Sequence, residues 1–180
     1  MDLRLNLRIA LLALLSPALH AAEFVPDDPS TYVTETLEMT GEVQNPLRFT
    51  VDDLKRLPSY DYKAVAAACG GDVANAEYKD YRGVLLRELV QKAALAGDDP
   101  KGWKRAYVIA HASDAYIALF SWNELLNTQI GDGVLVVYAQ HGEALPPESG
   151  RIALVSGCDR HAGPRHVKWL KSIELKTVPQ

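Results

Sequence analysis

Residues 157–174 are Gly-Cys-Asp-Arg-His-Ala-Gly-Pro-Arg-His-Val-Lys-Trp-Leu-Lys-Ser-Ile-Glu. Within it, residues 157–169 form the densest group of polar side chains in the chain, which follows the apolar stretch 151–156 and runs into the Val-x-Trp-Leu segment 167–170. Gly163 and Pro164 favour a shaped loop over a helix here. Arginine forks and backbone N–H groups suit an anionic or heteroaromatic ligand, and an Asp carboxylate suits a pair of N–H groups. The segment is therefore a candidate binding loop, and the alternative is a solvated surface loop.

The chain around this loop shows the alternation of polar and apolar residues that is typical of half-buried strands. Predicted strands cover 34–40, 60–68, 105–111, 116–120, 134–138, 151–156 and 173–176, with a short extended piece at 78–81. Predicted helices cover 50–57, where Pro58 ends the helix, 83–94, and a short segment that opens at the capping box 121–124. Residues 142–150 are predicted to form a polar loop. Since strands outnumber helices without a strict βαβ order, the pattern predicts one α+β domain with a mixed sheet or barrel-like core.

The first 22 residues have the three parts of a secretory signal. Arg4 and Arg8 precede the apolar run 9–15, and small residues follow as far as Ala21 and Ala22. That run is shorter than the roughly 20 residues a bilayer span needs. We therefore expect cleavage near Ala21 or Ala22, a domain at 23–180 without membrane insertion, and a periplasmic location. Because the two arginines are separated, the signal is of the Sec type and not the twin-arginine type; the alternative is a buried N-terminal helix.

Charge and cysteine content narrow the function further. A formal net charge of −4 argues against a nucleic-acid-binding surface, because phosphate contacts need a basic face. The two cysteines, Cys69 and Cys158, most simply form a disulfide in an oxidising compartment. The alternative is that Cys69 is a free thiolate that binds a metal. Gly70 and Gly71 directly follow Cys69 and allow an unusual turn or close approach of a ligand.

Other motifs that would indicate a particular chemistry are missing from the sequence. His111, His161 and His166 have no HxH or HExxH spacing, so they do not predict a zinc site. GxSxG, Walker and dinucleotide-binding glycine patterns are absent, and Ser156 has no strained elbow around it.

Three blocks, in order, resemble the sulfite-oxidase-type molybdopterin-binding domain. Residues 41–54, GEVQNPLRFTVDDL, resemble the opening of that domain. Residues 81–89, YRGVLLREL, resemble its W-x-G-V-x-L-x-x-L segment, and 163–174 resemble its G-x-R-x-V-K-W-L-x-x-I-E ending. The blocks span most of the chain after the signal, so the resemblance implies that this whole region adopts the family's fold.

The resemblance also implies roles for individual residues. Cys69 matches the position of the family's molybdenum-ligating cysteine. Arg165 and Lys168, with His166 between them, match the residues that contact the phosphate end of the pterin cofactor. Asp114 and Tyr116 resemble the family's D-G-Y substrate-side turn, with Ala115 in place of glycine. These matches imply a molybdopterin-dependent oxidoreductase in which Cys69 holds the metal.

Three departures favour a different interpretation. The signal is not of the twin-arginine type, the chain is much shorter than full sulfite oxidases, and Cys158 gives Cys69 a covalent partner. A smaller branch with this fold binds free pterins in the periplasm and reports them to membrane-bound cyclic-di-GMP enzymes. Residues 131–136, GDGVLV, and 163–170, GPRHVKWL, resemble that branch.

A pterin sensor is therefore our leading hypothesis, and a molybdopterin enzyme is the alternative. In the leading hypothesis no bond is made or broken. The pterin ring would stack on Trp122 or Tyr116. Its aminopyrimidone edge would bond to Asp159 or Asp114. Arg160 and Arg165 would shape the pocket.

Overall fold

The computed structural model describes residues 28–71, 78, 80–161 and 163–179. Within these residues the strands are β1 (Thr36–Gly41), β2 (Leu47–Thr50), β3 (Tyr60–Asp61), β4 (Tyr81–Leu85), β5 (Ala106–Ala112), β6 (Ile117–Ser121), β7 (Val134–Gln140), β8 (Glu143–Ala144), β9 (Ala153–Ser156) and β10 (Leu170–Thr177). The α-helices are α1 (Val51–Lys55), α2 (Tyr62–Ala68), α3 (Leu86–Ala93) and α4 (Trp122–Asn127). Short 3₁₀ turns cover Pro29–Tyr32, Gly102–Arg105 and Gln129–Asp132.

The first sheet has the strand order β2-β1-β10-β5-β6. Its β1–β10 pair is parallel and its other pairs are antiparallel, so the sheet is mixed. Along each strand, alternate residues face inward, including Leu37 and Met39 on β1 and Ile173 and Leu175 on β10, all fully buried. The outward face carries the polar residues of β1 and β10, as the period of a half-buried strand requires.

The second sheet has the order β3-β4-β7-β8, and β9 also pairs with β7. Strand β7 is buried on both faces because it lies between two apolar clusters. Val134, Val136 and Tyr138 join the larger cluster beneath the first sheet, whereas Leu135 and Val137 join the smaller cluster. Helix α2 covers that smaller cluster with Tyr62, Val65 and Ala66, which share one helical face.

An isolated β-bridge ties strand β9 of the second sheet to the end of the candidate binding loop, just before β10 of the first sheet. The N–H groups of Leu154 and Val167 each donate to the other's carbonyl, at 2.9 and 2.8 Å. The chain then enters β10, where the Leu170 N–H donates to the Ile152 carbonyl at 2.8 Å. The loop is therefore anchored at both ends, by β9 before it and by this bridge after it.

The α+β fold with mixed sheets and short helices is confirmed. The described strands form two sheets, and they do not close into one barrel. The predicted strand 60–68 is wrong after Asp61, because alanines favour the helix and place Val65 and Ala66 on the buried side. The predicted helix 83–94 begins only at Leu86, because 81–85 pair with β7 as a strand. Strand β8 lies inside the segment predicted as a polar loop.

The predicted signal peptide and its cleavage point lie outside the described residues. Among the helices that the structure describes, none is long and apolar enough to cross a bilayer.

Candidate functional site: a disulfide-tied binding loop

The candidate loop begins with a covalent tie between the two halves of the chain. Cys69 follows α2 directly and Cys158 follows β9, and the two form a disulfide with their Cα atoms 5.7 Å apart. The predicted disulfide is therefore confirmed. It joins positions 89 residues apart in sequence and fixes the loop to the end of α2.

Two glycines allow the backbone segments around the disulfide to pack at very short range. A Cβ atom on Gly71 would lie 1.9 Å from the Gly157 carbonyl oxygen. A Cβ atom on Gly133 would lie 2.3 Å from the Cys158 Sγ atom. The Gly157 N–H also donates to the Gly133 carbonyl at 2.8 Å. The close approach predicted for Gly71 is thus an approach to the chain's own backbone, and any side chain at either glycine would push the disulfide region apart.

Arg165 is held inside the loop by two carboxylates. Its Nε donates to Asp159 Oδ2 at 2.8 Å and its Nη2 donates to Asp159 Oδ1, a bidentate pair. Its Nη1 donates to Glu124 Oε1 at 3.2 Å, and its guanidinium carbon lies 4.4 Å from the centre of the Phe120 ring. The side chains of Arg165 and Asp159 are only 19% and 15% exposed, so this ion pair is largely shielded from water.

These contacts determine the electrostatics of the loop. The hydrogen bonds that Arg165 donates to Asp159 raise the pKa of Arg165 above its ordinary value, and burial opposes them only in part. Two carboxylates thus surround one guanidinium, so the positive charge at this point is more than compensated. Removal of Asp159 would leave a half-buried guanidinium short of a partner, which is costly because charged groups lose hydration on burial.

Glu124 and Phe120 are the residues of this cluster that sequence reasoning did not assign to the site. Glu124 was recognised only as part of the capping box of α4. Its Oε2 accepts from the Ser121 N–H at 2.7 Å, which leaves Oε1 for Arg165. The capping box itself could have indicated this contact. A capping carboxylate uses one oxygen for the backbone N–H and keeps the other available for a second partner such as Arg165.

The turn between β5 and β6 contacts the loop through Tyr116. The Tyr116 hydroxyl donates to the Pro164 carbonyl at 2.7 Å, while the ring stays 42% exposed. The Asp114 Oδ1 atom accepts from the Tyr116 N–H at 2.9 Å, so this carboxylate stabilises the turn. Ala115 has a φ of 73°, the left-handed conformation for which the family's glycine is suited.

The other predicted site residues differ in their surroundings. His166 Nδ1 lies 3.1 Å from the Tyr78 hydroxyl, and its ring packs edge-on against Tyr78. Lys168, which lies between Val167 and Trp169 in the sequence, is half-buried, and Arg160 is exposed. The ligand-binding roles of these residues remain predictions.

Trp122 faces a different pocket from the one predicted. It lines a cavity of about 390 Å³ together with Trp103, Leu95 and Leu126, and none of the described residues of the loop (157–161 and 163–168) lines that cavity. Trp122 is the first residue of α4, and Glu124 is two positions later in the same helix. Residues two positions apart point to nearly opposite sides of a helix, so Glu124 faces the loop and Trp122 does not.

The structure gives no sign of a protein-only metal site in the part of the chain that it describes. No three His, Cys, Asp or Glu side chains there lie close enough to hold a metal ion. His111 is on the outward face of the first sheet, where its Nε2 lies 3.0 Å from Glu174 Oε2.

This combination of fold and loop defines a class of protein. Residues 22–180 match the family described as oxidoreductase molybdopterin binding domain, and the chain belongs to that family.

Among solved structures, the fold is similar to that of the sulfane dehydrogenase SoxCD from Paracoccus pantotrophus, with a TM-score of 0.51 and 22% sequence identity. The similarity covers 86% of this chain but only 41% of the SoxCD chain. No curated protein matches the chain.

The residues present do not fit the cofactor for which the family is named. Cys69, which matches the family's metal-ligating cysteine, has its sulfur bonded to Cys158, and a disulfide sulfur cannot act as a thiolate ligand. Arg165, which matches a phosphate-contacting residue, already has two carboxylate partners. In the disulfide form, the metal end of the cofactor would lack its matching thiolate, and one of the two matching cations at the phosphate end is already paired.

Proposed function

We propose that this chain is an exported binding protein for a pterin-class heterocycle, that it catalyses no reaction, and that it reports the ligand to a membrane-bound cyclic-di-GMP enzyme. The periplasmic location rests on the signal-like first 22 residues. The ligand class rests on the family, which is named for molybdopterin binding.

The observation that carries the proposal is the Cys69–Cys158 disulfide. A molybdenum centre of the family's type needs a cysteine thiolate, and this bond removes the thiolate without removing the fold. Without this thiolate the domain lacks the family's metal ligand. In the proposal it holds a free, exchangeable heterocycle instead.

The balance of charge at Arg165 supports a ligand without a phosphate tail. Asp159 and Glu124 neutralise this cation, so it is not available as an unpaired counter-charge for a phosphate. A free pterin has no such group. It needs an aromatic platform and hydrogen-bonding partners for its amino and carbonyl edge.

The exposed ring of Tyr116 supplies a platform whose position is fixed by the bond to Pro164. In the proposal the pterin stacks on this ring. Its edge bonds to Asp114, or to Asp159 through the lone pairs that the bonds from Arg165 leave on its two oxygens, and the exposed Arg160 helps to shape the pocket. Aromatic stacking and one carboxylate pair are together consistent with micromolar binding, about −8 kcal/mol.

The test is to purify the protein from the compartment in which it accumulates and to identify what it carries. Mass spectrometry of the extracted small molecules should find a pterin, and elemental analysis should find no stoichiometric molybdenum. Titration of the denatured, unreduced protein should find no free thiol. One molybdenum per chain, together with two free thiols, would overturn the proposal in favour of a molybdopterin-dependent oxidoreductase.

Two matched variants separate these outcomes. Cys158→Ser leaves the Cys69 thiol free, whereas Cys69→Ser removes the candidate metal ligand, and both remove the disulfide. If the chain is a binding protein, both variants should contain equally little molybdenum. Molybdenum that accumulates only in Cys158→Ser would mean that Cys69 is a metal ligand when it is reduced.

A further inference from the structure

The outward face of the first sheet has an apolar region at the β5–β6 edge. Ile117 and Leu119 point outward from β6 and are 59% and 58% exposed. On β5, the outward-facing neighbours are Tyr107 and Ile109, both half-buried, and Ile109 lies directly opposite Leu119. We call these four residues the β5–β6 face. Branched and aromatic side chains grouped in this way on a surface indicate an interaction site more than isolated exposed residues do.

Strand β6 is also an open edge of the sheet. In the described part of the chain its strand partner is β5 alone. Its sequence from Ile117 to Ser121 contains no charged residue and no proline. Natural edge strands usually carry such residues because they prevent unwanted pairing, so an unprotected apolar edge is consistent with a surface that is covered in the working protein.

The rim of the β5–β6 face carries both signs of charge. On β10, Glu174 and Lys176 form an ion pair at 3.1 Å, and His111 on β5 contacts the same carboxylate at 3.0 Å. Lys176 lies opposite Tyr107, and Glu174 lies opposite Ile109, so these charges border the apolar residues directly. The rim is thus close to neutral, although the whole chain has a net charge of −4.

We propose that a second copy of this chain covers the β5–β6 face in a two-fold symmetric dimer. A two-fold interface must be self-complementary, and a rim with one acid and one base can place each opposite its counterpart on the other copy. The apolar centre and polar rim match the usual anatomy of protein interfaces. The local neutrality favours a second copy, because two chains that each carry a net charge of −4 would meet here without a local excess of negative charge.

The experiment is sedimentation velocity of the mature protein over a range of concentrations up to about 100 µM, where a micromolar interface would be mostly dimeric. Leu119→Lys places a charge at the centre of the β5–β6 face and should raise the dissociation constant roughly 30-fold or more, as central interface residues do. Asn127→Lys, an equal change of charge at an exposed position on α4, should leave the dimer intact.

A wild-type protein that stays monomeric at the highest concentration would overturn the proposal. A dimer that Leu119→Lys does not weaken would also overturn it, because the contact would then lie elsewhere. Circular dichroism checks that the variant is folded. If it is not, the double variant Ile117→Thr with Leu119→Thr replaces it, because threonine is β-branched and suits a strand, and this variant should weaken the dimer in the same direction. The outcome does not depend on whether the chain binds a pterin.

Discussion

Removal of the disulfide should destabilise the protein strongly. The bond closes a loop between positions 89 residues apart, and the chain-entropy relation gives about 4–5 kcal/mol for a loop of this length. Domains of this size are stable by about 5–15 kcal/mol, so the loss would be about a quarter of the total or more. At roughly 2–4 °C per kcal/mol, the midpoint of thermal unfolding should fall by about 8–20 °C.

The assay is urea or thermal unfolding of the mature protein, with and without reductant, beside the double variant Cys69→Ser, Cys158→Ser. Reductant should shift the wild-type transition and leave the double variant unchanged. The variant should unfold at the midpoint of the reduced wild type, because both lack the same cross-link. The slope of the urea transition should also rise in both, since an uncross-linked unfolded chain exposes more surface.

A shift smaller than about 1 kcal/mol would refute this reasoning. It would mean that the segments joined by the disulfide stay close together in the unfolded chain, or that the bond is absent from the protein in solution. Thiol titration of the denatured protein distinguishes these two explanations directly.

Three further predictions concern single side chains. Asp159→Ala should weaken pterin binding, measured by calorimetry, by about 1–3 kcal/mol. The change removes a buried carboxylate and leaves Arg165 with Glu124 as its carboxylate partner. Unchanged affinity would mean that the edge of the pterin bonds elsewhere. Ala115→Gly should leave the free energy of unfolding in urea equal or raise it by up to about 1 kcal/mol, because φ is 73° at this position and glycine adopts such values without strain. A clear loss of stability would show that alanine is not strained in this left-handed conformation. Lys176 and His111 lower the pKa of Glu174 below its ordinary value of 4.5, so this carboxylate stabilises the fold above pH 4.5 and progressively less as the pH falls through its folded value. Glu174→Gln should therefore flatten that part of the acid-unfolding profile, and an identical profile would contradict the contribution.

The parts of the fold that the sequence predicted well are those where local periodicity and burial agree. Thr36 to Gly41 alternates along a half-buried strand, and Thr50 and Ser121 cap the helices that follow them. The errors occur where two local signals compete. Tyr60 to Lys63 alternates like a strand, yet the helical propensity of the alanines and the covering of the smaller apolar cluster make Tyr62 the first helical residue.

The candidate site was predicted less completely because its contacts join distant parts of the chain. The polarity of residues 157–168 identified the loop, and two cysteines identified the disulfide. No periodicity could show that Glu124 and Phe120 would meet Arg165, 41 and 45 positions away, since this depends on how β6 and α4 pack beside the loop. Trp122 was assigned to the loop for its chemistry, whereas its position on α4 turns it toward Trp103.

Strand β10, the last strand in the chain, lies in the middle of the first sheet, between β1 and β5. The two flanking strands have no direct pairing with each other, so the β2–β1 and β5–β6 halves of the sheet are joined only through residues 170–177. Contacts between such distant segments make folding slow, so the two halves of the first sheet would be joined late in the folding process.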